Sequence, residues 1–362
     1  MFLKRLSKGV LGWLGRARPV SVHSSETVSR GPLCHVIILD GTMSTLEPGL
    51  ETHAGTTYRL LKEMGPRMSV YYEAGVQWSA WSKTTDVMVG RGINRKIRRA
   101  YGYLASRYRP GDKIFLIGYS RGAYAVRSLA GVLGSVGLLT QQHATERHIQ
   151  TAYRHYQLGG DPKTRAAFRR LHCHDEVKVE MVGVWDTVKA LGLRIPILWR
   201  WLDVQHDFHD HKLGPHVKAG FQALALDETR DVYSPVLWES VKGFEGQVEQ
   251  VWFRGTHGDV GGHIGDFEEA RPLANLSLVW MLERAEMTGL PLPRDWRMRF
   301  PVDPDAPSVG TWAGWGKIFV LRSRRKVGLD PSEKIHPSVY QAKVPRRSSL
   351  WLNLMFWRQK SH

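Results

Sequence analysis

An α/β fold built on a mostly parallel, doubly wound sheet is what this sequence predicts, and three observations predict it. Short apolar runs alternate with segments of helical spacing in the order strand, helix, strand, helix, strand, the pattern of parallel strands joined by crossover helices. One such run follows Gly111-Asp112, passes through Gly118-Tyr119-Ser120-Arg121-Gly122 and continues as Ala123 to Leu133, good helix formers at helical spacing. The chain has 362 residues, 42% hydrophobic and 23% charged, which is ordinary globular composition and enough for one large domain with insertions or for two.

Taken in order, residues 1–31 hold a basic, glycine-interrupted apolar segment and a linker rich in Ser, Pro and Gly. Arg16 and Arg18 stand where a cleaved signal peptide needs small neutral residues. A basic amphipathic segment lying on a membrane, or a frayed tail, is expected instead. Cys34 to Leu39 reads as a buried strand, and Asp40-Gly41-Thr42 must turn sharply at its end. Thr56 to Met64 has helical spacing, and Met68 to Glu73 reads as the second strand. The aromatic and polar stretch Trp78 to Arg91 is expected to line an entrance. Ile93 to Tyr108 is a basic helix with Arg95, Lys96, Arg98, Arg99 and Arg107.

After the Ser120 unit, His143 to Tyr156 and Pro162 to Leu171 read as a helical insertion packed on the sheet. Val177 to Val184 is a strand that runs into Trp185-Asp186-Thr187. Leu191 to Gly214 is an irregular loop, read as a lid or a wall at the substrate entrance. Its His/Asp cluster from Asp203 to His211 matches no common zinc spacing, so no metal is expected. Val217 to Leu226 reads as a helix, Gln247 to Phe253 as a strand, and Leu273 to Met287 as a long amphipathic helix. Residues 300–335 are rich in Pro, Gly, Trp and Arg, and His336-Pro337-Ser338-Val339 can cap a last helix. The apolar, aromatic tail from Leu350 to Arg358 either docks on the domain or touches a membrane. The expected division is a basic N-terminal segment with its linker over 1–31, a catalytic domain over 32–290 and an extension packed on it over 291–362.

A net charge of +17 favours anionic partners. No motif of a nucleic-acid module is present, so none is expected, and the fourteen tryptophans lean toward a membrane interface. No run approaches the roughly 20 apolar residues that a membrane span needs. The two cysteines, Cys34 and Cys173, give neither a disulfide framework nor a zinc pattern. The expected location is cytoplasmic, peripheral at a membrane, or exported by a non-classical route.

The chemistry is expected at the C-terminal ends of the strands. The G-x-S-x-G at 118–122, with a strand before it and a helix after it, forces Ser120 into a strained turn that exposes its hydroxyl. The N–H groups at the start of the helix favour negative charge there. A serine nucleophile needs a base and an acid to orient that base. Ser120, Asp186 and His257 follow the α/β-hydrolase order of serine, acid and histidine, and each lies just past an expected strand. Asp259 as the acid with His336 as the base satisfies the same order, and His263 is a further candidate base. The N–H of Arg121, with those of the turn at Gly41 and Thr42, could hold an oxyanion. Asp40 is read as a cap of that turn.

Five stretches, in order, carry a family resemblance: Leu39-Asp-Gly-Thr42, Gly118 to Gly131, Gly183-Val-Trp-Asp-Thr-Val188, Ala223 to Arg230, and Trp252-Phe-Arg-Gly-Thr-His-Gly-Asp-Val-Gly-Gly262. Over residues 33–290 the chain resembles the α/β-hydrolase family that contains the type VI secretion phospholipase effectors and their bacterial and fungal relatives. The resemblance implies an α/β-hydrolase-like fold, ester hydrolysis with lipid or another acyl ester as substrate, no cofactor, and a triad of Ser120, Asp186 and His257. The chain departs from the family pattern at Leu39 and Met43, on either side of the first turn, and at Gly258, where the family usually has serine. The expected function is a serine hydrolase of carboxylic esters, phospholipase- or lipase-like. The alternatives are a non-catalytic scaffold that binds an anionic partner or membrane, and a hydrolase of thioesters or peptides.

Overall fold

The computed structural model describes residues 31–75, 91–159, 161–188, 211–312 and 321–343. The entrance stretch before Arg91, most of the expected lid with its His/Asp cluster up to Asp210, residues 1–30 and the tail beyond Lys343 lie outside the described residues. The described residues from Pro32 onward belong to one compact unit.

Among the described residues, seven parallel strands make the sheet. They are β1 (Cys34–Leu39), β2 (Met68–Glu73), β3 (Lys113–Tyr119), β4 (Met181–Trp185), β5 (Ala219–Ala225), β6 (Gln247–Phe253) and β7 (Glu333–Ile335), in the spatial order β2-β1-β3-β4-β5-β6-β7. All pairs are parallel, and Leu39 lies level with Gly118 and Tyr119 with Trp185. The order reverses at β1, between its neighbours β2 and β3, which makes the turns after β1 and β3 adjacent at one edge.

Because side chains alternate along a strand, β1 and β3 feed two cores. Ile37, Leu39, Ile114 and Leu116 pack under helices α2 (Arg91–Ala105) and α3 (Arg121–Ser135). Val36, Ile38, Phe115 and Ile117 pack with α1 (His53–Lys62) on the other face. The insertion helices α4 (Glu146–Leu158) and α5 (Pro162–His172) add to the first core through Ile149, Tyr153 and Phe168. Tyr153 also donates to Asn94 of α2 at 2.8 Å, so α4 lies against that helix.

Two expectations need correction. The expected helix over 217–226 is instead the strand β5 over Ala219–Ala225. Ala and Leu favour a helix locally, but β5 is a central strand whose seven residues are all buried. Gln222 can sit there because its amide is satisfied by Thr187, Val236 and Gln250. The helix α7 (Arg271–Met287), following the short α6 (His257–Gly261), is not amphipathic, since Leu273 to Leu278 are buried without a break. Residues 293–306 cover its outer side, with Asn275 donating to the Pro301 carbonyl and Asp303 N–H to the Pro272 carbonyl. The stretch rich in Pro, Gly, Trp and Arg, for which the sequence predicts no element, contributes β7, which extends the sheet beyond β6 and leads to the short α8 (Ser338–Gln341).

Candidate active site

The turn between β3 and α3 is tight because two glycines let backbone approach backbone. A Cβ on Gly122 would stand 2.0 Å from the Leu39 carbonyl oxygen, and one on Gly118 would stand 2.7 Å from Ala123 Cα. Ser120 is left at φ of +57°, a conformation costly for a residue with a Cβ. Its own N–H is held by the Trp185 carbonyl at 3.0 Å. The turn after β1 lies alongside, since a Cβ on Gly41 would come within 3.3 Å of Ser120 Cβ.

Asp186 directly follows β4, also at positive φ (+43°), and β6 leads to His257 at the start of α6. His257 Nε2 lies 2.9 Å from Ser120 Oγ, and His257 Nδ1 lies 2.5 Å from Asp186 Oδ2. All three are buried, with Asp186 at 0% exposure. The His257 ring is stacked between Tyr119 (4.9 Å) and Tyr233 (4.5 Å), and the Arg230 guanidinium covers the outer face of Tyr233 at 4.4 Å. The buried Glu228 accepts the His257 backbone N–H at 3.1 Å while paired with Arg230 at 2.6 Å.

Asp186 carries more than the histidine. Arg325 forks onto it, Nη1 to Oδ1 at 2.5 Å and Nη2 to Oδ2 at 2.9 Å, and the Ala225 N–H donates to Oδ1 at 3.1 Å. Burial by itself would raise the Asp186 carboxyl. The Arg325 charge and the hydrogen bonds from His257 and Arg325 outweigh it and hold the group well below the ordinary carboxylate range. A hydroxyl, an imidazole and an ionised carboxylate are thus joined in series, which is the arrangement that lets a serine lose its proton to a histidine.

The other sequence candidates lie apart from that series. Both oxygens of Asp259 are engaged elsewhere, Oδ2 by Thr256 and Ser308, Oδ1 by the Val309 N–H at 2.9 Å. It closes a capping box with Thr256 at the start of α6. His336 stacks on Phe253 and bonds Ser338 through Nδ1. Burial holds its imidazole down to about 4. His263 follows α6, its N–H bonded to the Gly258 carbonyl, and burial followed by the nearby His257 lowers its pKa. Asp40 ties the turn after β1 by accepting from Gly41 N–H (2.6 Å), Thr52 (2.7 Å) and Tyr72 (2.7 Å). Burial raises its carboxyl despite those bonds. The Gly41 N–H is therefore occupied, which leaves Arg121 and Thr42 as the candidates for an oxyanion donor.

Sequence reasoning missed Glu228, Tyr233 and Arg325. Glu228 lay inside one of the motifs, but nothing marked its role. Arg325 is one of four cations between Arg322 and Lys326, and only the fold distinguishes it. A cleft of about 550 Å3 opens on the Arg325 side, between Arg230, Pro235, Trp238 and Leu329, and Ser120 does not line it. Among the described residues no cluster of His, Cys, Asp and Glu could hold a metal, and no helix is long and apolar enough to cross a membrane.

The family model for the catalytic domain of Tle1-like type VI secretion phospholipase effectors matches residues 34–284. The chain belongs to that family. An uncharacterized protein of Saccharomyces cerevisiae is 26% identical over 185 residues, which is 44% of this chain and 27% of that protein. The solved structure of the Tle1 effector bound to the VgrG spike is 18% identical, with a TM-score of 0.34, over 68% of this chain and 55% of that one. An uncharacterized Pseudomonas aeruginosa protein of known structure is 14% identical, with a TM-score of 0.42, over 84% of this chain and 53% of that one. The chain spans about a quarter of the yeast relative and about half of each solved chain.

Proposed function

We propose that the protein is a serine hydrolase of carboxylic esters, phospholipase- or lipase-like, with Ser120, His257 and Asp186 as its triad. The observation that carries this reading is the pair of contacts on His257, 2.9 Å to Ser120 Oγ and 2.5 Å to Asp186. Membership of a phospholipase effector family supports the class of substrate.

In this reading Ser120 Oγ attacks the ester carbonyl carbon while its proton passes to His257 Nε2. The carbonyl oxygen becomes an oxyanion held by the N–H groups of Arg121 and Thr42. The tetrahedral intermediate collapses, the bond to the leaving alkoxide breaks, and His257 returns its proton to the alcohol. Water, deprotonated by His257, then attacks the acyl-serine, and the carboxylic acid leaves as Ser120 regains its proton. Asp186 keeps His257 in the tautomer that accepts at Nε2. No cofactor enters these steps.

We assign the catalysis to residues 32–290, with 291–362 as an extension on that unit. Contact with an anionic membrane, from a cytoplasmic or exported position, fits the net charge of +17 and the exposed Arg95 and Arg99 of α2. The test is labelling by a fluorophosphonate probe, alone and with anionic vesicles, together with phospholipid turnover at rising salt. We expect labelling of the wild type, none of Ser120→Ala, and turnover that falls as salt is raised. A folded wild type that is never labelled would leave the non-catalytic scaffold as the better reading.

A further inference from the structure

We propose that Arg325, which lies outside the stretch matched by the family model, is a positioning residue for the Asp186–His257 pair. This rests on the reading of Ser120, His257 and Asp186 as a triad. Arg325 reaches the site from the segment between Leu321 and β7, and its side chain is 5% exposed. Its four terminal N–H groups have four acceptors. Two are the oxygens of Asp186. The third, on Nη1, is the Ala225 carbonyl at the end of β5, at 2.8 Å. The fourth, on Nη2, is the Tyr233 carbonyl, at 2.5 Å. Tyr233 is also the residue whose ring stacks on His257. One guanidinium thus fixes the orienting carboxylate, the strand end beside it and one wall of the imidazole's slot. A planar fork can meet two carboxylate oxygens and two carbonyls at once, whereas an ammonium cannot.

The charge has its own consequence. Asp186 alone would be an uncompensated buried anion beside His257. Arg325 cancels part of that charge and, with the hydrogen bonds, holds the carboxyl ionised, well below the ordinary carboxylate range. Without the guanidinium, the pair takes up its first proton at higher pH, whichever of the two groups carries it.

The experiment reads the rate of fluorophosphonate labelling of the full chain from about pH 5 to about pH 9, a range that spans ordinary histidine titration. No knowledge of the natural substrate is needed. In Arg325→Gln we expect the acid limb of the profile to move up by about one unit, the usual effect of losing a close opposite charge. In Arg325→Lys, which keeps the charge but not the fork, we expect the limb to stay within a fraction of a unit and the plateau to fall about tenfold. If Arg325→Gln does not fold, Arg325→Lys decides alone: a lowered plateau with an unmoved limb supports the proposal, and a wild-type plateau overturns it. A folded Arg325→Gln with a wild-type limb also overturns it while the triad stands. A wild type whose labelling survives Ser120→Ala would instead remove the triad itself.

Discussion

Asp186 accepts four hydrogen bonds on two oxygens, from His257, from both arms of Arg325 and from the Ala225 N–H, in a site with no exposure to water. Such a carboxylate has one stable state, ionised and fixed, which is what an orienting acid requires. Asp186→Asn makes this testable. An amide in that position offers a donor or a weaker acceptor to His257, so the wrong tautomer is favoured, and turnover should fall about ten-thousandfold. Arg325 would also lose its counter-charge inside the protein, which should cost about 3–5 kcal/mol of stability. Labelling rate and urea midpoint, measured on the same preparation, check the two effects. An Asp259→Asn variant gives the contrast. Its partners are Thr256, Ser308 and Val309, so its loss should lower the midpoint more than the chemical rate.

At the scale of elements, the site depends on the ends of β1, β3, β4 and β6 being brought to one edge. The closest approach is between the β3–α3 turn and the end of β1. A methyl at Gly122 would meet the Leu39 carbonyl oxygen at 2.0 Å and that of Asp40 at 2.6 Å, both backbone atoms with nowhere to move. We therefore expect Gly122→Ala to push α3 and Ser120 away from the turn at Gly41 and Thr42. Displacement by about an ångström typically costs about a hundredfold in rate, and overpacking of this kind about 1–3 kcal/mol in stability. The labelling rate and the thermal midpoint of the variant check it. A variant with wild-type labelling would mean that the elbow tolerates the shift.

For the whole molecule, the buried histidines and Asp186 together fix how stability responds to acid. His53 is fully buried against the Ala274 carbonyl, and burial followed by the charge of Arg271 holds it down to about 3. Burial and then Arg284 hold His336 to about 4. A lowered histidine stabilises the fold fully above its unfolded pKa near 6.5, and that contribution is lost as pH falls toward the folded value. Asp186 is depressed, so its contribution persists lower and is lost only below the ordinary carboxylate range. The urea midpoint should hence be flat above about pH 6.5, decline toward about pH 4 as the histidines charge, and drop further below that as Asp186 is protonated. His53→Gln, which cannot titrate, should reduce the first slope whatever it does to the level. An unchanged slope would show that His53 is not the group responsible.

The sequence by itself determined which stretches are strands where burial is nearly complete, as at Cys34–Leu39 and Lys113–Tyr119, because a short apolar run between polar turns has few other uses. It also placed Ser120 at a turn, because two glycines around a serine, between a strand and a helix, dictate the local geometry. It offered two acids and three histidines for that serine, and their choice waited on distances that no spacing encodes. It misread Ala219–Ala225, since the Ala and Leu of a central strand favour a helix until neighbouring strands on both sides fix the backbone. Only the tertiary structure decided that Asp186 meets His257, that Asp259 serves a cap, and that Arg325, more than a hundred residues after Asp186, closes over the carboxylate. Local pattern reports the chain's own conformation. Which distant charge satisfies a buried carboxylate is settled when the core forms and leaves that charge nowhere else to go.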